Sequence, residues 1–95
     1  MATYKLKKIK IEYDDNGNLI HYKNFNGDEY WQEYDNNGNL IHYKDSDGFE
    51  NWKEYDDKNN LIHYKDSDGS EYWKDNKGNK ITEEEFSKIW EKIEE

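Results

Sequence analysis

The sequence predicts a mainly β protein: an antiparallel meander of about seven or eight strands followed by one C-terminal amphipathic helix. Three observations predict it. A 21-residue unit recurs three times between Glu12 and Lys74, each copy carries two turn motifs, and the apolar period changes from strand-like to helical after Ile81. The copies read EYDDNGNLIHYKNFNGDEYWQ, EYDNNGNLIHYKDSDGFENWK and EYDDKNNLIHYKDSDGSEYWK, with Tyr13, Tyr34 and Tyr55 in phase and His21, His42 and His63 in phase. Self-similarity at a period near 20 marks a supersecondary unit that is stable only when stacked on its neighbours. The 95 residues form a single domain.

Residues 1–11 read as an N-terminal strand. Its lysines, from Lys5 to Lys10, guard the sheet edge against strand addition. Residues 12–74 hold the three repeats. In each, the first turn is DDNGN at Asp14 to Asn18 and DNNGN at Asp35 to Asn39, where Asn-Gly suits a two-residue type I′ hairpin. The third copy has Lys58-Asn59, so Asn59 takes the left-handed position less comfortably than Gly. The second turn is NFNG at Asn24 to Gly27, then DSDG at Asp45 to Gly48 and Asp66 to Gly69, which suits a three-residue loop with a Gly bulge.

These turns imply a register. Tyr34 falls opposite Ile41, Glu33 opposite His42 and His42 opposite Trp52, while Lys23, Lys44 and Lys65 meet Glu29, Glu50 and Glu71. One face then carries Tyr13, Ile20, Tyr22, Tyr30 and their repeats. The other carries Leu19, His21, Trp31 and theirs. Residues 75–81 are a degenerate copy of the first turn. Residues 82–94 form the helix, with a Thr82/Glu85 capping box and Phe86, Ile89, Trp90 and Ile93 on one stripe that caps or covers the sheet.

Composition bounds the function. With 32% hydrophobic and 39% charged residues the chain resembles a disordered one, but nine Tyr, four Trp and three Phe at regular positions reverse that reading. No Cys is present, which removes disulfides, thiolate nucleophiles and Cys-ligated metal. A net charge of −9 and the absence of Arg argue against nucleic acid or an anionic membrane as a direct partner. The same charge suits a basic protein surface. The opening MATYKLKKIKIEY has no continuous apolar run, so we expect neither a signal peptide nor a membrane span, and a cytoplasmic location.

Each constellation that could carry chemistry has a simpler reading. Every histidine lies between a cross-strand Glu (Glu12, Glu33, Glu54) and a cross-strand Trp (Trp31, Trp52, Trp73), which is where an acid/base or metal site begins. Identical placement in three copies instead points to a packing rule, and no catalytic residue is expected. The Asp- and Asn-rich loops offer hard oxygen ligands, but they lack the distal bidentate Glu of a calcium loop. In DNKGNKITEEEF, Lys77 and Lys80 stand where an acid and a Gly are needed. Turn chemistry accounts for these residues, so no metal and no cofactor is expected.

The motif EYDDNGNLIHYKDSDG resembles the YD repeats of the RHS family, with Tyr13-Asp14, Tyr34-Asp35, Tyr55-Asp56, Gly17 and Gly38 matching over residues 12–74. It is also similar to MORN-type hairpin repeats used as interaction scaffolds. The resemblance implies hairpin architecture. Small acidic stand-alone repeat proteins of this kind look like phage or mobile-element inhibitors, including anti-CRISPR proteins, or immunity proteins. The expectation is a non-enzymatic protein-binding module that blocks a basic nucleic-acid-handling protein. Tyr30, Trp31, Trp52, Tyr72 and Trp73 would be its anchors, and Asp45, Asp47, Asp66 and Asp68 its steering charges. The alternative is a self-assembling scaffold that forms a homodimer through an aromatic sheet face.

Overall fold

The computed structural model describes residues 2–4 and 8–92. Eight strands lie side by side in chain order: β1 (Lys10–Tyr13), β2 (Leu19–Lys23), β3 (Glu29–Tyr34), β4 (Leu40–Asp45), β5 (Glu50–Tyr55), β6 (Leu61–Asp66), β7 (Glu71–Lys74) and β8 (Lys80–Ile81). Every neighbouring pair is antiparallel, and β1 and β8 are the two free edges of an open sheet. The helix α1 (Glu83–Ile89) follows β8.

One turn geometry, used seven times, builds the meander. In the first, the Asp14 carboxylate accepts the N–H groups of Asn16 and Asn18, both at 2.9 Å, while Gly17 N–H bonds the Asp14 carbonyl. Asp35, Asp45, Asp56, Asp66 and Asp75 repeat this pattern, and Asn24 does so with its amide oxygen. A short acceptor that captures the N–H groups two and four residues on holds a right-handed turn closed by one left-handed residue. The expected two-residue type I′ turn at Asn37-Gly38 is therefore corrected. That turn needs positive φ at both central residues, whereas here only the glycine has it, Gly38 at +84°. In the β5–β6 turn that place falls to Asn59, at φ 68°. We expect Asn59→Gly to raise stability by about 0.5 kcal/mol, read as a higher urea midpoint. The gain is trimmed because Asn59 Oδ1 also accepts the Asn39 amide at 2.8 Å.

The three-residue loops shift the register beside them. Tyr34 pairs with Leu40, not with Ile41 as expected, and Ile41 is the extra residue of a bulge before Glu33 meets His42. Ile20 and Ile62 occupy the same place in the other copies. Beyond each bulge the expected pairs hold: His42 with Trp52, Lys23 with Glu29, Lys44 with Glu50 and Lys65 with Glu71. The degenerate copy lacks the bulge, so Trp73 meets Ile81 directly.

Among the described residues, no second layer covers the sheet along its length. The radius of gyration is 18.0 Å, against about 12 Å for a compact domain of this length. Among the described residues, Ile62, at 8% exposure, is the one apolar side chain that is buried. Stability therefore rests on the strand ladder and on cross-strand ring columns, each pair contributing roughly 0.2–1 kcal/mol. On the tyrosine face, Tyr22 stacks on Tyr30 at 5.2 Å, Tyr30 on Tyr43 at 5.8 Å and Tyr64 on Tyr72 at 5.3 Å. The second copy has Asn51 where the others have Tyr30 and Tyr72. There Phe49 meets the Tyr43 ring instead, at 6.3 Å, and Asn51 Oδ1 is buried with no hydrogen-bond partner.

Two serines staple the loops to strands farther back. Ser46 donates its N–H to the Glu29 carbonyl at 2.8 Å and accepts the Glu29 N–H on its hydroxyl, and Ser67 does the same with Glu50. Phe25 holds this place in the first copy and is exposed.

The terminal elements are shorter than the sequence suggested. Of the N-terminal strand expected over 1–11, β1 contains only its last two residues, and Lys5 to Lys7 lie outside the described residues. The helix expected over 82–94 ends at Ile89 because Trp90 turns extended, with φ −112° and ψ 134°; Ile93 lies outside the described residues. Its capping box is formed as expected, with Thr82 Oγ1 accepting Glu85 N–H at 3.2 Å and Glu85 Oε1 accepting Thr82 N–H at 3.2 Å. Trp90 leaves the helix to donate its indole N–H to the Lys74 carbonyl at 2.8 Å. A tertiary bond to β7 thus ends the helical period.

Candidate functional site

The face opposite the tyrosines carries three copies of one cluster. In the first, His21 Nδ1 lies 2.9 Å from Glu12 Oε1 and Nε2 lies 2.6 Å from Glu29 Oε2, while the ring stacks on Trp31 at 5.3 Å with 8° between planes. The second joins His42 to Glu33 (3.1 Å) and Glu50 (2.6 Å) and stacks it on Trp52 at 5.5 Å. The third joins His63 to Glu54 (2.6 Å) and Glu71 (2.9 Å) and stacks it on Trp73 at 5.3 Å. Strand alternation builds this: Trp31 faces His21 directly, and Glu29, two residues before Trp31 on the same strand, points to the same side.

A ring with a carboxylate at each nitrogen is a donor at both, which is the imidazolium state. Hydrogen bonds to Glu12 and then Glu29 hold the His21 pKa above its ordinary value. For His42 and His63, burial pulls the pKa down, but the bonds to Glu50 and Glu33, and to Glu54 and Glu71, outweigh it and the net shift is upward. The charged ring over an indole adds a cation–π attraction. With both nitrogens engaged, none of the three imidazoles presents a free nitrogen to a substrate. Among the described residues, no group of three or more His, Cys, Asp or Glu side chains is arranged to hold a metal ion.

The second carboxylate of each clamp escaped sequence reasoning. Glu29, Glu50 and Glu71 are backbone partners of Lys23, Lys44 and Lys65 as expected, but their carboxylates turn to the histidines. The signal available was their i, i+2 relation to the tryptophans.

The predicted anchors divide between two faces. Trp31 and Trp52 stand 40% and 39% exposed on the histidine face, and Trp73 shares that face but is less exposed. Tyr30 and Tyr72 belong to the opposite, tyrosine face, stacked on Tyr22 and Tyr64. The four aspartates divide as well. Asp45 and Asp66 are occupied inside their turns, where each also accepts a tyrosine hydroxyl, from Tyr43 and Tyr64. Asp47 and Asp68 stand exposed at the loop tips. Sequence reasoning also did not place the helix against the third cluster, where Phe86 approaches His63 at 5.9 Å and Trp90 at 6.4 Å.

Fold and site together define a single-layer hairpin-repeat sheet with one ionic aromatic face. The chain matches no protein-family model and no curated protein. Among the described residues, no helix is long and apolar enough to cross a membrane.

Proposed function

We propose that this protein is a non-enzymatic binding module whose acidic aromatic face docks on a basic protein surface, and that the surface it blocks belongs to a nucleic-acid-handling protein. The observation that carries the reading is the open histidine face. Trp31 and Trp52 are held by stacking, 40% and 39% exposed, and bordered by carboxylates and by their cross-strand partners Lys44 and Lys65, on a chain of net charge −9. Rigid aromatic anchors contribute most to affinity at protein interfaces, and surrounding charge sets partner choice and association rate. Asp47 and Asp68 at the loop tips supply steering charge. A cytoplasmic setting, where such partners occur, belongs to the same proposal.

The test is affinity purification with the tagged chain, followed by competition of the retained protein with a DNA or RNA oligonucleotide. Retention of a basic protein that the oligonucleotide displaces, and its loss with Trp31→Ser/Trp52→Ser, is the expected result. Binding that survives Asp47→Asn/Asp68→Asn and high salt unchanged would remove the electrostatic mechanism. A concentration-dependent dimer lost on Tyr43→Ser would replace it with self-association.

A further inference from the structure

The edge strand β1 departs from the strands that hold its place in the repeats. At the 21-residue spacing, Lys8, Ile9, Lys10 and Ile11 stand where β3 has Glu29, Tyr30, Trp31 and Gln32. Ile11 is apolar where β3, β5 and β7 carry Gln32, Lys53 and Lys74. Its pairing with Tyr22 sets it on the tyrosine face, and strand alternation puts Ile9 and Tyr13 beside it. Ile9, Ile11 and Tyr13 are 49%, 47% and 61% exposed. The backbone there is open as well. Asp14 N–H bonds the Asn18 carbonyl across the hairpin, so Glu12 and Lys10, in alternation with it, direct their N–H and C=O groups toward β2. Ile9, Ile11 and Tyr13 direct theirs to the free edge.

We propose that this edge binds the same edge of a second copy of the chain, antiparallel, with Ile11 opposite the partner's Ile11, so that two sheets join into one. Charge selects the register. About that centre Lys10 meets the partner's Glu12, Glu12 meets the partner's Lys10, and Ile9 meets the partner's Tyr13. Moving the centre to Lys10 or to Glu12 sets two lysines or two glutamates against each other. Lys10 Nζ already lies 3.2 Å from Glu12 Oε1 in its own strand, so the joined strands form a square of alternating charge. The residues whose backbone groups face outward are also the ones that meet, Ile11 with Ile11 and Ile9 with Tyr13. A strand of the repeat does not fit this edge. Laid on β1 as β2 lies on β3, it brings a charged imidazole against Lys10 and a lysine against Lys8. Lys8 and Lys10 therefore guard the edge against a repeat strand and not against its own copy. The other free edge offers no rival, because β8 has two residues and runs into the cap of α1 at Thr82. Pairing like edges closes a two-fold dimer rather than a growing filament. One short strand from each copy buries less than the roughly 1,200 Å² of a standard interface, so the dimer is weak and reversible. The joined edges leave both sheet faces open, and the dimer stands apart from the partner-docking reading above.

The test is sedimentation equilibrium of the full chain over a micromolar to millimolar concentration series, where a monomer–dimer equilibrium is expected. Lys10→Glu and Glu12→Lys should each weaken it at least about tenfold by setting like charges opposite. An equimolar mixture of the two variants should recover it, because every opposed pair is then again of opposite sign. Since Glu12 also binds His21, a second measurement leaves it in place. The chain contains no cysteine, so Ile11→Cys carries a single thiol, which should link two copies into a disulfide dimer under a mild oxidant. Ile9→Cys should link at least about tenfold more slowly, because the two copies of that residue lie four positions out of register. A chain that stays monomeric throughout the series would overturn the inference, and so would Ile9→Cys linking as fast as Ile11→Cys. A dimer indifferent to Lys10→Glu would overturn it too, and loss of that dimer on Tyr43→Ser would place the contact on the tyrosine face. Species larger than a dimer would count against it as well, because the paired edges close.

Discussion

Replacing Ile62 by Ala is expected to lower the unfolding free energy by about 2–4 kcal/mol, the range for truncating a buried isoleucine. The same change at Ile20 or Ile41 is expected to cost less, about 1–2 kcal/mol, because less apolar area leaves water at a partly exposed site. All three residues occupy the bulge of their repeat, so side-chain type and local backbone are matched and burial is what differs. Urea unfolding followed by circular dichroism at fixed pH provides the comparison. Equal losses at the three positions would mean that the bulge, and not burial, sets the cost. In a sheet whose repeats touch only their neighbours, the loss at Ile62 should also decouple β6, β7 and the helix from the N-terminal strands, giving a broader transition.

The second large effect is a fall in stability as the solution becomes alkaline. His21, His42 and His63 all have a pKa raised above the ordinary 6.5. A group raised on folding stabilises fully below its unfolded value and loses that contribution as pH climbs through the folded value. The carboxylates act with the opposite sign. Glu12 is held below its ordinary 4.5, chiefly by its bond to His21. Asp14, Asp66 and Asp75 are held below 3.8, chiefly by Asn18 N–H, the Tyr64 hydroxyl and Asn79 N–H respectively. Burial pushes Asp56 up, but the Asn60 and Lys58 bonds outweigh it. Their contribution is present above the ordinary values and lost as pH falls through the lowered ones. The melting temperature should therefore be highest at about pH 5–6.5 and decline from there toward pH 9. His21→Gln/His42→Gln/His63→Gln should flatten the alkaline limb and remove Glu12's share of the acid limb, leaving the share of the turn aspartates. A wild-type melting temperature that stays level between pH 6 and 9 would show that the clamps hold neutral rings.

Much of this architecture was legible in the residues. The repeat placed the strands, and the alternation of His and Trp against Tyr and Ile assigned the two faces, because period-two side-chain direction is a property of any extended strand. The Thr82/Glu85 box located the helix start. The Asn-Gly turns were misread because Asn-Gly also fits a three-residue loop when an Asp stands two residues before the Asn, where its carboxylate can close on the N–H groups ahead. Asp14 and Asp35 therefore decide the turn, and a one-residue shift at Tyr34 follows. The carboxylates of Glu29, Glu50 and Glu71 were assigned to lysines for a related reason. A backbone register names the residue opposite, but a long side chain can lean along the diagonal to a partly buried, chargeable ring.

The sequence by itself determined the repeat, the strand order and the two chemically distinct faces, since those depend on local periodicity and on turns closed by neighbouring residues. Only the tertiary structure decided that the sheet stays open and one layer thick, that each histidine is held between two carboxylates, and that the helix stops at Ile89, with Phe86 against His63 and Trp90 bonded to the Lys74 carbonyl. Those outcomes depend on contacts between residues eight to twenty-three positions apart, where several partners of equal local merit compete and packing selects among them.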